Sequence, residues 1–260
     1  MNKAFEILNK KKLFIFDMDG TIYLGGIPFE FAKSFIKNLR ASGKTVLFFT
    51  NNASHTSSFY SNKLNRLGFE PSINEIMTAG DVTLEFLKRH RPDSSVYMVA
   101  TDELIEEYCS KGINVINGKT EYPQNADVVI TSFDTSLTYE KLNIACRLIR
   151  NGAEYLSTHP DFNCPTETGF IPDSGAISAF VTASTGVVPT YFGKPYRHTV
   201  EMICEATGVS KEEMCIFGDR LYTDIAVGKH HGITAILVYS GETQPADVEK
   251  ASDTDRPDFI

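Results

Sequence analysis

The sequence predicts an α/β protein whose parallel-sheet core is interrupted by a second α/β domain. Three observations carry that expectation. Apolar runs of strand length alternate with helix-period segments through nearly all of the 260 residues. Several runs are continuously apolar, as strands covered on both faces are. The strand ends that carry Asp17 and Asp19, Thr50-Asn51, Lys194, and Asp219 with Asp224 lie towards the two ends of the sequence, and none of them falls in the middle. The core is therefore expected to be Rossmann-like and built from 1–80 and 186–260, with 81–185 as an inserted α/β domain.

The first strand is read from Leu13-Phe14-Ile15-Phe16, which runs into Asp17-Met18-Asp19 and then the turn pair Gly20-Thr21. Gly25-Gly26 mark a loop, and Pro28 is expected to open a helix with Phe31, Ala32, Phe35, Ile36 and Leu39 on one face. Thr45–Thr50 reads as a second buried strand. The polar cluster Thr50-Asn51-Asn52-Ala53-Ser54 after it can cap the next helix, which Gly68 stops.

Within the insertion, Val96–Ala100, Asp127–Thr131 and Glu154–Ser157 read as strands, and Glu103–Ser110, Tyr139–Arg150 and Gly175–Thr185 as helices. Thr158 to Ser174 reads as a long polar loop. Past Gly186, Val188–Phe192 leads into Gly193-Lys194-Pro195, and Met214–Phe217 into Gly218-Asp219 with Asp224 beyond. Ala235–Tyr239 is a further strand, and Pro257–Ile260 begins a last edge strand.

A formal charge of −8 and a pI near 5.3 argue against a general nucleic-acid binder. They leave room for an anionic small substrate, because a local site can be positive on an acidic protein. The five cysteines make no Cys-x-x-Cys pair, so free thiols in a reducing, cytoplasmic setting are expected. No signal peptide and no membrane span is read.

Chemistry concentrates at the strand ends. Asp17 and Asp19 flank one residue, and two carboxylates so close need a cation or a shared proton. One can serve as nucleophile and the other as general acid; alternatively both cap a turn. A calcium loop fails, because its sixth position would be Ile22 rather than Gly. Thr50 is either a helix cap or a hydroxyl ligand, and Lys194 either a solvated lysine or a fixed cation. Gly193-Lys194 is no P-loop, since Val188 and Pro195 stand where Gly and Ser/Thr are required. Taken together, these groups suit phosphoryl transfer, which needs an in-line nucleophile, a cation and donors around the equatorial oxygens.

In order and placement, Asp17-Met18-Asp19-Gly20-Thr21, Thr50-Asn51, Gly193-Lys194-Pro195 and Gly218-Asp219-x4-Asp224 resemble the four motifs of the haloacid dehalogenase superfamily. The strings Phe49-Thr50-Asn51-Asn52-Ala53-Ser54 and Gly218-Asp219-Arg220-Leu221-Tyr222-Thr223-Asp224 resemble its NagD / p-nitrophenyl phosphatase branch, whose C2-type cap domain lies between the second and third motifs. Ser157-Thr158-His159-Pro160-Asp161 resembles a pattern of that cap which more often has Asn where His159 stands.

The resemblance implies a Mg²⁺-dependent phosphatase of small phosphomonoesters. Asp17 would form an aspartyl-phosphate and Asp19 would be the general acid/base. Thr50, Asn51 and Lys194 would hold the phosphoryl group. Asp17, the Asp19 main-chain carbonyl and Asp219 would bind the metal, with Asp224 behind them. The inserted cap would set specificity, with His159, Asp161, Thr166 and Glu167 as its polar candidates. The implied partner is a small phosphorylated metabolite, such as a sugar phosphate or nucleotide, with neither nucleic acid nor membrane; a homodimer is compatible with it. Two other readings stand beside this one: a phosphotransferase or phosphomutase with the same nucleophile, and a non-catalytic phosphate-ligand sensor. Hydrolysis of an aryl phosphate with and without Mg²⁺ separates enzyme from sensor.

Overall fold

The computed structural model describes residues 3–118, 123–166 and 169–260. The chain forms two compact units, one of Met1–Thr50, Ser57–Met77 and Lys194–Ile260, the other of Asn51–Thr56 and Thr78–Gly193. The stretches 78–80 and 186–193 thus belong with the second unit.

In the first unit the strand order is Thr234–Leu237, Met214–Gly218, Leu13–Phe16, Thr45–Thr50, Ile76–Thr78. Leu13–Phe16 lies at the centre and pairs in parallel on both sides, with Ile15 opposite Ile216 and Leu47. All four of its side chains are buried, which is why its sequence is apolar without alternation. Phe16 and Phe217 stack with ring centroids 4.9 Å apart in the core beneath the strand ends.

Pro28 does not open the helix. It pairs instead with Tyr23 in a small hairpin of Tyr23–Leu24 and Ile27–Pro28, and the helix runs from Glu30 to Ala41. A two-residue strand on a surface hairpin tolerates a proline, since no ladder depends on its missing N–H. The buried face of that helix is Ala32, Ile36 and Leu39. Phe31 is exposed, and Phe35 sits at the rim with its ring edge-on to Phe16 and Phe217. The cluster after Thr50 does not cap the next helix, which begins only at Ser57. The Asn52 side-chain oxygen accepts the Ser54 N–H and hydroxyl at 3.0 and 2.7 Å, closing a local turn in its place. At the far end, Phe259 makes a single parallel bridge to Ile236 rather than a strand.

The second unit has its own parallel sheet, in the order Thr190–Tyr191, Glu154–Ser157, Val128–Thr131, Ser95–Val99, Asn114–Val115. Thr190–Tyr191 is shorter than the apolar run around it suggests, because Val187 and Val188 are exposed. The helix Ala79–His90 starts on a reciprocal cap between Thr78 and Asp81. Ser174–Thr185 starts on the Asp173 carboxylate. The segment Thr158–Ser174 is not simply a loop. Asn163–Thr166 pairs antiparallel with Gly169–Pro172. The latter strand is exposed throughout, so backbone pairing holds the hairpin and no buried face writes a period of two into its sequence. No described helix is long and apolar enough to cross a membrane.

Candidate active site

Beyond the carboxyl ends of the first unit's central strands, Asp17 and Asp219 meet Asp224 and Lys194, the residue that opens the unit's last segment. Asp17 follows the central strand directly, and its N–H still donates to Phe217 O at 2.9 Å, so it is fixed to the sheet. Lys194, 2% exposed, places its ammonium 2.5 Å from Asp17 Oδ1 and 2.6 Å from Asp224 Oδ1. Asp224 is held inward by a single π-helical turn, Leu221–Ile225, and its Oδ2 accepts the Arg220 N–H at 3.1 Å. The Thr21 hydroxyl lies 3.5 Å from Asp17 Oδ2 and 3.4 Å from Asp219 Oδ1.

One oxygen from each of Asp17, Asp219 and Asp224 lies within 4.8 Å of the others. Three carboxylates against the Lys194 ammonium and the nearby Arg220 guanidinium leave a negative excess, and the donor atoms are all oxygens, as a hard divalent cation prefers. The backbone leaves room for Asp219 to take part. Gly20, at φ +87°, sits where a Cβ would come 2.6 Å from Asp219 Oδ2, and a Cβ at Gly241 would come 2.0 Å from the same atom. The Glu242 N–H donates to that oxygen at 2.7 Å. The residues present fit a divalent metal.

The electrostatics agree with the geometry. Burial pushes the Asp17 carboxyl up to about 7, against the pull of Lys194 and with the push of Asp224 and Asp219. Burial likewise lifts Asp219 to about 6, helped by Asp224. For Lys194 burial works against the charge, but Asp17 and Asp224 outweigh it and the ammonium is held above its ordinary value. Asp19 is exposed, two residues beyond Asp17. Partial desolvation raises its carboxyl, opposed by Lys63 and by the Gly25 backbone amide at the tip of the small hairpin.

Thr50 ends the strand beside the first, partly buried. Asn51 falls in the second unit, where its amide donates to Asp161 Oδ2 at 3.1 Å. His159 is buried in that unit, between Asp161 and Asp173. Thr166 ends the strand Asn163–Thr166, and Glu167 lies outside the described residues. The sequence reading missed Thr21, Gly241 with Glu242, and Lys63, whose ammonium stands 4.2 Å from the Tyr23 ring centroid. For Gly241 a signal was present, because Ser240-Gly241 is a turn pair at the end of another core strand. Thr21 and Lys63 carry no such mark.

The comparisons with known proteins converge on one family. A sequence model of the haloacid dehalogenase-like hydrolases matches residues 14–114, and a second, HAD-hydrolase-like model matches 191–260. The chain is 34% identical over 236 residues to a 5'-nucleotidase, YutF, of Bacillus subtilis, covering 90% of this chain and 89% of that protein. It is 34% identical over 242 residues to an acid sugar phosphatase of Staphylococcus aureus, covering 93% and 92%. Among solved structures, the 4-nitrophenylphosphatase of Thermotoga maritima superposes with a TM-score of 0.90 at 40% identity, covering 98% of this chain and 95% of that one. The chain therefore belongs to the haloacid dehalogenase-like hydrolases, on their NagD-like phosphatase branch.

Proposed function

We propose that the protein is a Mg²⁺-dependent phosphatase that hydrolyses small phosphomonoesters through an aspartyl-phosphate on Asp17. The observation that carries this reading is the Asp17 carboxylate, held 2.5 Å from the Lys194 ammonium at the end of the central strand and beside Asp219 and Asp224. In the first step an Asp17 oxygen attacks phosphorus and the bond to the leaving oxygen breaks. Asp19 gives that oxygen its proton. Its exposure and raised carboxyl suit a group that must hold a proton and meet solvent. In the second step Asp19 takes a proton from water, which attacks phosphorus and releases phosphate and free Asp17. Thr50, Asn51 and Lys194 are assigned to the phosphoryl oxygens. Asp17, Asp219 and the Asp19 carbonyl would hold Mg²⁺, and Asp224 would keep Lys194 in place. Bound there, the cation would offset the charge of carboxylates and phosphate.

The second unit is assigned the choice of leaving group. The names of the relatives span nucleotides, sugar phosphates and an aryl phosphate, so a small phosphorylated metabolite is the proposed substrate class. Thr166 and Glu167 are the proposed contacts, and replacing either by Ala should shift kcat/KM unequally across substrates. The test of the whole reading is turnover of 4-nitrophenyl phosphate by purified protein, before and after chelation, with Mg²⁺ restored. Undiminished activity after exhaustive chelation would refute the metal assignment. No release of phosphate from any of a panel of phosphomonoesters would refute the function.

A further inference from the structure

His159 is 0% exposed, yet neither ring nitrogen has a hydrogen-bond partner among the described residues. Both nitrogens instead face acids. Nδ1 lies 3.6 Å from Asp161 Oδ2, and Nε2 lies 3.4 Å from Asp173 Oδ1. A neutral imidazole has one N–H and one lone pair, so it would aim that lone pair at one of the two carboxylates. An imidazolium presents an N–H to each, and a buried charge persists only when paired in this way. Burial opposes the charge, but Asp173 and Asp161 outweigh it and raise the imidazole above its usual range.

Each acid has a second task. Asp173 Oδ1 accepts the Ser174 N–H at 2.6 Å and so starts the helix Ser174–Thr185. Asp161 Oδ2, the oxygen facing His159, also accepts the Asn51 amide at 3.1 Å. Gly193 closes the cluster: a Cβ there would come 2.8 Å from Asn51 Oδ1 and 2.9 Å from His159 Cβ. Asn51 is joined by one peptide bond to Thr50, and Gly193 by one to Lys194.

We propose that His159 is a positioning residue for phosphoryl transfer: as an imidazolium between Asp161 and Asp173, it fixes the carboxylate that receives the Asn51 amide and steadies the chain beside Thr50 and Lys194. The inference rests on the phosphatase reading above. It also removes His159 from the residues that touch a leaving group, since the ring is enclosed. An Asn in its place would carry both of its N–H groups on one nitrogen, so it could not present a donor from each of two separated ring positions as the imidazolium does.

The test pairs kinetics with spectroscopy on the full chain. His159→Asn, Asp161→Ala and the double variant are assayed with 4-nitrophenyl phosphate, a hexose phosphate and a nucleoside monophosphate. His159→Asn should lower kcat about 10-fold, by one common factor for all three, with KM changed less than about 3-fold. In the Asp161→Ala background the same substitution should cost less than about 2-fold, because its route is already cut. Independent, additive losses, or a KM change that differs among substrates, would overturn the proposal. In wild-type protein labelled with ¹⁵N-histidine, one ring should show both nitrogens protonated at pH 7.5, with N–H protons slow to exchange. Absence of such a ring would overturn it even if the variants fail to fold. Wild-type protein inactive on all three esters would instead sink the phosphatase reading, leaving His159 no reaction to serve, while the spectrum still reported on the ring.

Discussion

Asp224 holds the Lys194 ammonium at 2.6 Å, so this lysine is clamped between a carboxylate from the π-helical turn and the Asp17 carboxylate at 2.5 Å. Asp224→Asn keeps the shape and removes the charge. It should lower kcat about 10- to 100-fold, as the loss of a supporting group does. Lys194→Met should be worse for the fold, because it removes the ammonium that touches both Asp17 and Asp224. Breaking a buried pair from one side costs about 3–5 kcal/mol. Thermal melts of the two variants check the order, and an equal loss for both would contradict it.

Asp17→Asn removes the proposed nucleophile in place. Turnover should fall by at least ~10³-fold, on the scale of other covalent nucleophiles, while circular dichroism stays that of the folded protein. Turnover within ten-fold of wild type would rule out the covalent step.

Gly20→Ala meets two penalties. Its φ of +87° is one that side chains resist, and its new Cβ would lie 2.6 Å from Asp219 Oδ2. The backbone alone costs about 1–2 kcal/mol, and displacing Asp219 should weaken the proposed metal site. Calorimetric titration with Mg²⁺ should show reduced affinity together with a lower Tm. Unchanged affinity would mean that Asp219 does not depend on this close approach.

Glu107, half-buried on the helix Asp102–Ser110, is lifted to about 7 by desolvation and then by Asp81. Its ordinary value is 4.5. Between those two values the folded state holds the proton more tightly than the unfolded chain. Stability is therefore greatest below the lower value and falls as pH rises towards the upper one. Glu107→Gln should remove that part of the decline, with no gain near pH 4.5 and a higher Tm at pH 7.5. Allowing for solvent screening, a relief of about 1 kcal/mol would read as about 2–4 °C. A variant that tracks wild type at both pH values would show that the carboxyl is not strained.

The strands that build the candidate site were legible because both of their faces are covered. Leu13–Phe16 and Thr45–Thr50 stand as their apolar runs predict, and Met214–Gly218 extends its run by one residue. Their polar end residues were conspicuous against that background. Where a segment is ordered by backbone pairing alone, as in Gly169–Pro172, composition carried no mark of it. The same holds for groups set by distant backbone. Nothing near Asp219 in sequence says that Gly241 and Glu242 wrap its carboxylate. His159 was visible as a departure from a pattern, but its enclosure between two acids depends on Asp173, fourteen positions further on.

The central strand of the first unit has a consequence for the order of assembly. Leu13 pairs with Thr45 on one side and with Met214 on the other, about 200 residues later. At roughly 5–20 residues per second of synthesis, the second partner follows the first strand by about 10–40 s. During that interval the Leu13–Phe16 strand has one open edge and the strand end that carries Asp17 is unfinished. The other unit has no such delay, since the strands of its sheet all lie between Ser95 and Tyr191. On a growing chain the unit assigned to choosing the leaving group can therefore close its sheet before the unit assigned to the chemistry. A chaperone that shields one exposed strand edge would act on this protein chiefly before Gly218 emerges.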